Sequence, residues 1–376
     1  MEEWIKCPLG DILNFRRGHD LPKTSMVPGD IPVAGSNGII GFHNVSTPIS
    51  PCITIGRSGN VGTPYIYDKC WAHNTVLYID DYKGNDPKYL YYLLKTLPLA
   101  SFGGGSAVPT LNRNHIHPLE VVFCKDLELQ KQIAGILSKI DDKIELNRQI
   151  NDNLEQQAQA IYKSWFIDFE PFKDGEFVES EIGLIPEGWK VGTLSDLAEI
   201  TMGQSPSGKS YNECGEGILF YQGRAEFGDR YPSIRLYTTE PSRIADQNSV
   251  LLSVRAPVGD TNIAYNKCCI GRGLASIKAK HGYNSFIFYM IKSMKDQFDM
   301  YNGEGTVFGS INRDSLNSLN VIVPTNDVIN KFEKIVAPLD LKYKSLFTEN
   351  LLLTQQRDTL LPKLMSGELK INELDC

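Results

Sequence analysis

The sequence predicts an α+β protein built twice: two repeated mixed α/β domains, joined by two long antiparallel helices that form a coiled coil with pseudo-two-fold symmetry. Three observations predict it. Trp4–Gly18 (WIKCPLGDILNFRRG) reads onto Trp189–Gly203 (WKVGTLSDLAEITMG), with Trp, Leu, Asp and Gly recurring at an offset of 185. Gly105–Asn114 (GSAVPTLNRN) reads onto Gly305–Asp314 (GTVFGSINRD) at an offset of 200. A long apolar seam then follows in each half. A repeat of this length is two copies of a whole domain, so the function must need two similar working parts.

The segments divide as 1–126, a first globular domain; 127–186, a central helical region; 187–326, a second globular domain; and 327–376, a C-terminal helical region. Within the first globular domain, the short apolar runs PCITIGR, TPYIYD and NTVLYID lie between Gly, Pro and Asn punctuation, which reads as strands. SVLLSVRAPVGD and TNIAYNKCCIGRG give the second the same texture, and Tyr67–Cys70 (YDKC) matches Tyr265–Cys268 (YNKC). Each domain also carries a helical stretch, DPKYLYYLLKTL and NSFIFYMIKSM.

The helical regions are the clearest. Ile133, Leu137, Ile140, Ile144, Asn147, Asn151, Leu154, Ala158, Ile161 and Trp165 step by four and three without a break. Phe332, Val336, Leu339, Tyr343, Leu346, Asn350, Leu353, Arg357, Leu360 and Leu364 repeat that spacing at an offset of 199. Such a sustained seam indicates a coiled coil rather than two unrelated surface helices, because two identical seams in one chain can pair. Asp126 and Asn326 are N-cap residue types at matching places. The first helix is expected to end near the DFEPF turn at Pro171, and the second to break at Pro362. Roughly 35 helical residues make a rod of about 50 Å. Asn147, Asn151 and Asn350 sit mid-seam, where buried Asn fixes register at some cost in stability.

Composition narrows the class. The N-terminus is acidic with no apolar h-region, and no apolar run approaches the ~18 residues of a membrane span, which together imply a cytoplasmic protein with no membrane partner. Eight scattered cysteines without a CxxC pair suit a reducing compartment and argue against a disulfide framework or a zinc site. His115 and His117 have the spacing of metal ligands, but the second copy has Ser315 and Asn317 there, so no metal is expected. The net charge of −7 looks wrong for a nucleic-acid binder. Residues 126–186 alone hold 6 basic and 13 acidic residues, however, while residues 1–125 hold 11 and 10. The acid is concentrated in the first helical region, and the globular domains are near neutral.

Motifs of catalysis are missing. There is no GxxxxGK[ST] phosphate loop, no NPPY-like or DPPY-like tetrapeptide of an amino-methyltransferase and no GxSxG elbow. Phe102–Ser106 (FGGGS) resembles a cofactor glycine loop, but it and its counterpart YNGEGT lead toward a strand rather than forming a βαβ unit. What recurs instead is a set of Gly-flanked loops with polar tips. GRSGNVG at Gly56–Gly62 parallels VRAPVGD at Val254–Asp260, and CWAHN parallels CIGRG. Arg and Asn carry planar donors that read base edges in the major groove, while Ser, Thr and backbone N–H groups take phosphates. The candidate DNA contacts are Arg57, Ser58, Asn60, His73, Asn74 and Arg113 in the first domain, and Arg224, Arg255, Arg272 and Arg313 in the second. Arg57 and Arg255, and Arg113 and Arg313, share repeat positions. Asn112–Arg113 and Asn312–Arg313 are equally able simply to build a turn before the last strand. Residues that differ between copies, such as His73 and Arg272, are the better candidates for reading different sequences.

At this point the chain resembles the specificity (S) subunit of type I restriction–modification systems over essentially its whole length. Leu127–Phe172, with its WF-DF-PF ending, is similar to the family's central region. Ile185–Leu197 (IPEGWKVGTLSDL) resembles the start of its second target-recognition domain, and Leu360–Leu369 (LLPKLMSGEL) its C-terminal end. The resemblance implies that each globular domain is a target-recognition domain reading one half of a bipartite asymmetric site in double-stranded DNA. It implies that the helices set the spacer and dock two modification (M) subunits, and that restriction (R) subunits join them. It implies no catalysis and no cofactor on this chain, with S-adenosylmethionine on the M subunit and ATP and Mg on the R subunit. Trp165, Phe166, Phe169, Leu361 and Leu364, at the two helix ends, are the residues expected to seat a partner. Two other classes stay open: a DNA methyltransferase, marked by a cofactor pocket, and a coiled-coil adaptor for protein or carbohydrate, marked by no salt-dependent DNA binding.

Overall fold

The computed structural model describes residues 4–103, 110–302 and 309–373. Gly104–Pro109 and Gly303–Phe308, with most of the FGGGS and YNGEGT glycine loops, lie outside the described residues. The chain divides into two compact units, Met1–Arg148 with Phe347–Cys376, and Gln149–Leu346. Each unit is therefore a globular domain together with part of each long helix.

The duplication holds element by element. In the first unit, Trp4–Pro8 pairs antiparallel with Glu120–Cys124; in the second, Lys190–Thr193 pairs antiparallel with Asn320–Val323. A four-stranded sheet in the order Asn14–Arg17, Val76–Asp81, Cys52–Gly56, Pro64–Tyr67 matches one in the order Ala198–Met202, Leu274–Ala279, Val250–Ser253, Thr261–Ile263. A parallel pair, Val33 against Trp71, matches Phe220 against Cys269 in the other copy. The recurring glycine of the repeat has a steric reason. A Cβ on Gly18 would stand 2.0 Å from the His73 carbonyl oxygen, and one on Gly203 would stand 2.1 Å from that of Gly271. Both backbones pass too close for any side chain.

The long helices run Leu127–Phe166 and Asn326–Ser366. Within each unit they are antiparallel: Asp141 meets Arg357 and Asn147 meets Asn350 in the first, while Tyr162 and Phe166 meet Phe332 in the second. Every residue of the two seams is buried or half-buried. Asn147 is fully buried and donates to Glu349 Oε2 and Asn350 Oδ1, both at 2.9 Å. Asp126 caps the first helix, accepting from the Glu128 and Leu129 amides. Asn326 is already helical, and the Ile329 amide bonds the Thr325 carbonyl instead.

Contrary to the sequence expectation, the second helix does not break at Pro362 but continues to Ser366. An interior proline loses one hydrogen bond and strains the turn before it, at about 3 kcal/mol. Here Leu361, Leu364 and Met365 are buried in the first unit's core. At about 1.5–3 kcal/mol for each buried side chain, their burial offsets that cost. The first helix ends at Phe166, and Phe169 turns the chain in the left-handed region (φ 54°) before Pro171.

The repeat tryptophans lie against these helix ends. Trp189 packs on Phe166, Phe169 and Phe172, with ring centroids 5.0–5.8 Å apart. Trp4 covers Gly367, just past the second helix.

Each globular domain is also pinned to the helices through the same surface of its own helix. In the first unit that helix is Pro87–Thr96. Tyr92 Oη donates to Asp141 Oδ2 at 2.8 Å, and Arg357 Nη1 donates to Asp141 Oδ1 at 2.7 Å. In the second it is Asn284–Ser293. Tyr289 Oη donates to Asp340 Oδ1 at 2.9 Å, and Lys292 Nζ to Glu155 Oε1 at 2.6 Å. Arg230 bridges Glu155 (2.9 Å) and Asp340 (2.5 Å). The start of each domain helix is capped from a long helix as well. Gln130 Oε1 accepts the Asp86 amide, and Glu333 Oε1 accepts the Phe286 amide.

Candidate nucleic-acid interface

The candidate residues of the first unit gather where strand Asn14–Arg17 faces two loops. The Arg57 amide bonds the Thr75 carbonyl, its carbonyl takes the Leu111 amide, and Ser58 bridges Thr110. The loop after Gly56 is thereby tied both to the His73–Thr75 turn and to the segment before Arg113. Arg57 is half-buried, with Nη1 3.5 Å from the Asn74 carbonyl. Burial, and then the neighbouring Arg17, lower its pKa. Arg113 is exposed and donates from Nη1 to the Phe15 carbonyl at 3.1 Å. These bonds to neutral carbonyls orient the guanidinium groups, and among the described residues no carboxylate forms an ion pair with either.

His73 Nδ1 lies 3.1 Å from Thr75 Oγ1, and Asn74 donates its amide to Asp20. Asn60 is exposed and accepts from Thr63. Asn112 accepts the Asn114 amide, capping the short helix Arg113–Ile116, and Asn312 accepts the Ser315 amide in the same role. For the two asparagines the turn-building role is the one the structure displays.

Contrary to the sequence expectation, Arg255 stands at the place of Ser58 and not of Arg57, bridging Ser310 as Ser58 bridges Thr110. The place of Arg57 is taken by Val254, whose amide bonds the Gly273 carbonyl and whose carbonyl takes the Ile311 amide, because the loop is shifted by one residue against the alignment. Arg255 and Arg313 are both exposed. Arg224 is not free in the same way: its Nε lies 2.8 Å from Asp260, which also meets Lys295 at 3.3 Å. Arg272 is exposed, with its amide 3.4 Å from Ser205 Oγ. The structure thus brings Arg57, Ser58 and Arg113 together, sets His73 and Asn74 beside them, and in the second unit sets Arg255 at the place of Ser58 and Arg313 at that of Arg113.

Sequence reasoning passed over Arg16 and Arg17. They line the same cleft, of about 350 Å³, with Arg57, Thr110, Asn112 and Arg113. The repeat itself held their signal, because the aligned positions in the second copy are Thr201 and Met202.

At the helix ends, Phe166 is buried among Phe286, Phe332 and Trp189, and Leu361 and Leu364 are buried in the first unit's core. Trp165 and Phe169 are half-buried. The apolar residues that reach the surface around Phe169 are Ile167, Ile182 and Leu184, the last 60% exposed. His117 Nε2 accepts the Phe15 amide at 3.2 Å, and burial followed by Arg113 lowers its pKa. Among the described residues no group of His, Cys, Asp and Glu is placed to hold a metal, and no helix is long and apolar enough to cross a membrane.

A duplicated mixed domain, each copy pinned to a pair of long helices, defines a protein built of two like units. The chain belongs to the type I restriction modification DNA specificity domain family, whose model matches residues 1–156 and 186–342. It is 36% identical over 295 residues to a putative type I restriction enzyme specificity subunit, MjaX, of Methanocaldococcus jannaschii, covering 76% of this chain and 69% of that one. It is 30% identical over 312 residues to the MjaIX specificity subunit of the same organism, covering 76% and 70%. A crystal structure of the type I S subunit from M. genitalium superposes with a TM-score of 0.66 at 18% identity over 96% of each chain, a likeness of fold. As a member of this family the chain is the DNA-specificity component of a restriction–modification system, not its catalytic component.

Proposed function

We propose that each globular domain reads one half of a bipartite, asymmetric site in double-stranded DNA, and that the long helices hold the two readers at a set spacing. The observation that carries this reading is the element-by-element duplication, with Arg113 answered by Arg313 after the same asparagine cap and an exposed Arg255 on the loop that matches that of Arg57 and Ser58. The readers correspond to residues 1–126 and 187–326, and the helical regions to 127–186 and 327–376. His73, Asn74 and Asn60 on one side, and Arg224 and Arg272 on the other, differ between the copies and supply the difference in sequence read. Ser58 supplies a phosphate contact.

Two M subunits dock on the helical regions and bring S-adenosylmethionine to the target adenines. R subunits add ATP- and Mg-dependent action on DNA. The assembly works in the cytoplasm. Trp165 and Phe169, with exposed Ile167 and Leu184, form the apolar seat for one M subunit, while Phe166, Leu361 and Leu364 hold the helix ends that carry such seats.

Strand-resolved mapping of methylated adenines tests this reading. Exchange of residues 1–126 for the matching segment of another family member should change one half-site and leave the other half and the spacer intact. A seven-residue insertion after Asn151 keeps heptad phase and adds about 10.5 Å, close to three base pairs at about 3.4 Å each. It should lengthen the spacer without altering either half-site. Simultaneous change of both halves on exchanging one domain refutes the two-reader arrangement.

A further inference from the structure

The first unit's cleft gathers four guanidinium groups, those of Arg16, Arg17, Arg57 and Arg113, around Thr110 and Asn112. Among the described residues its one ion pair is Arg17 with Asp20, at 3.9 Å and well exposed. Asp20 already accepts from Asn74. Arg57 and Arg113 donate to backbone carbonyls, which orient them and leave their charge. Like charges held this close repel one another, and an anion seated among them relieves that repulsion.

The second unit keeps Arg313 in the place of Arg113 and carries Arg255 one residue along from the place of Arg57, but has Thr201 and Met202 where the first has Arg16 and Arg17. Arg16 and Arg17 are exposed, and no hydrogen bond fixes either side chain among the described residues. Base readout needs a guanidinium held in one plane, whereas a phosphate accepts from many rotamers.

Resting on the assignment of DNA recognition above, we propose that Arg16 and Arg17 form a clamp on backbone phosphates of the first half-site, a clamp the second unit lacks. The two units then grip DNA unequally: the first adds two phosphate contacts that carry no sequence information, and the second relies more on contacts that do.

The experiment measures affinity of the assembled S–M complex for a duplex carrying its own mapped site, from 50 to 200 mM salt. Each neutralised phosphate contributes about 0.9 to the slope of log K against log salt. Arg16→Gln with Arg17→Gln should flatten that slope by about 1.8, equal to about a 12-fold smaller loss of affinity across that range. Affinity should fall alike for every site sequence, and both methylated half-sites should stay as they were. Arg16→Lys with Arg17→Lys should keep the slope. Thr201→Arg with Met202→Arg should steepen it. An unchanged slope in both the Gln and the Arg variants overturns the clamp. So does relaxed base preference at the first half-site, which would make these arginines base readers. A wild-type complex with no salt-dependent binding to its own duplex would instead refute the DNA-recognition reading beneath it.

Discussion

The two pins between domain and helices use the same tyrosine and the same aspartate, yet they take their arginines from different places. Tyr92 and Tyr289 lie on matching domain helices, and Asp141 and Asp340 lie at matching seam-flanking positions 199 residues apart. In the first unit the arginine, Arg357, comes from the second long helix, and both partners keep some access to water, at 20% and 25% exposure. In the second unit Arg230 comes from the globular domain itself, is 2% exposed, and lies between the rings of Phe288 and Tyr343, each 4.7 Å away. Burial works against its charge, and Asp340, Tyr289 and Glu155 more than restore it. Glu155 is held low against its own burial by Arg230 and Lys292. The contacts that recur are thus the tyrosine–carboxylate bond and the domain-helix lysine three residues on, Lys95 at 3.7 Å from Asp141 and Lys292 at 2.6 Å from Glu155, whereas the desolvated arginine belongs to one copy only.

That contrast is broken most sharply at Arg230. Arg230→Ala leaves Asp340 with the Tyr289 hydroxyl and no cation, while Glu155 keeps Lys292, and removal of one partner from a buried pair costs about 3–5 kcal/mol. Arg357→Ala should cost less, because water already reaches its site. Hydrogen-exchange mass spectrometry of each unit reads both; equal losses would mean that burial of the cation is not what separates the two pins.

The next effect depends on pH and separates the two caps. Burial raises Glu333 to about 7, against the pull of the Phe286 amide. Its folded-state pKa lies above the ordinary carboxylate value, so its protonated form stabilises the fold. That contribution is complete below about pH 4.5 and is lost as pH rises through 7, at most about 3 kcal/mol. Glu333→Gln should flatten the pH dependence of the second unit's stability between pH 5 and 8. Gln130 already plays this part without a charge in the first unit. A melting-temperature profile unchanged by the substitution would count against a neutral Glu333.

Tyr92→Phe and Tyr289→Phe test the shared contact itself. A hydrogen bond to a charged acceptor contributes about 1.5–3 kcal/mol, and the two losses should be similar. Denaturant midpoints of the two variants would sharpen the comparison. The smallest effect belongs to the exposed first-turn pairs, Lys131 with Glu128 and Lys331 with Asp327. Lys131→Ala and Lys331→Ala should leave stability indistinguishable from the parent chain.

The features legible in the sequence are those set by periodicity and repetition. The seam residues, the domain helices and the recurring Gly18 and Gly203 could be read because each obeys a local spacing or recurs. The continuation through Pro362 was not legible, because local propensity stops a helix there and only the packing of Leu361, Leu364 and Met365 carries it on. Arg230 gave no signal, since Asp229–Arg230–Tyr231 reads as a polar turn and its partners stand 75 and 110 residues away. Arg224 looked like a free reader for the same reason: its pairing with Asp260 is a tertiary fact. Arg16 and Arg17 carry no signal of recurrence, because Thr201 and Met202 stand at their places in the second copy.

The division of the chain also fixes an order of events during synthesis. The second unit is one unbroken stretch, Gln149–Leu346, whereas the first is closed by Phe347–Cys376. On the ribosome the first domain emerges before the second, yet Leu361, Leu364 and Met365, which complete its core, are made only after the second unit. The half that begins first is therefore the half closed last, so its core stays incomplete until the second unit has been made.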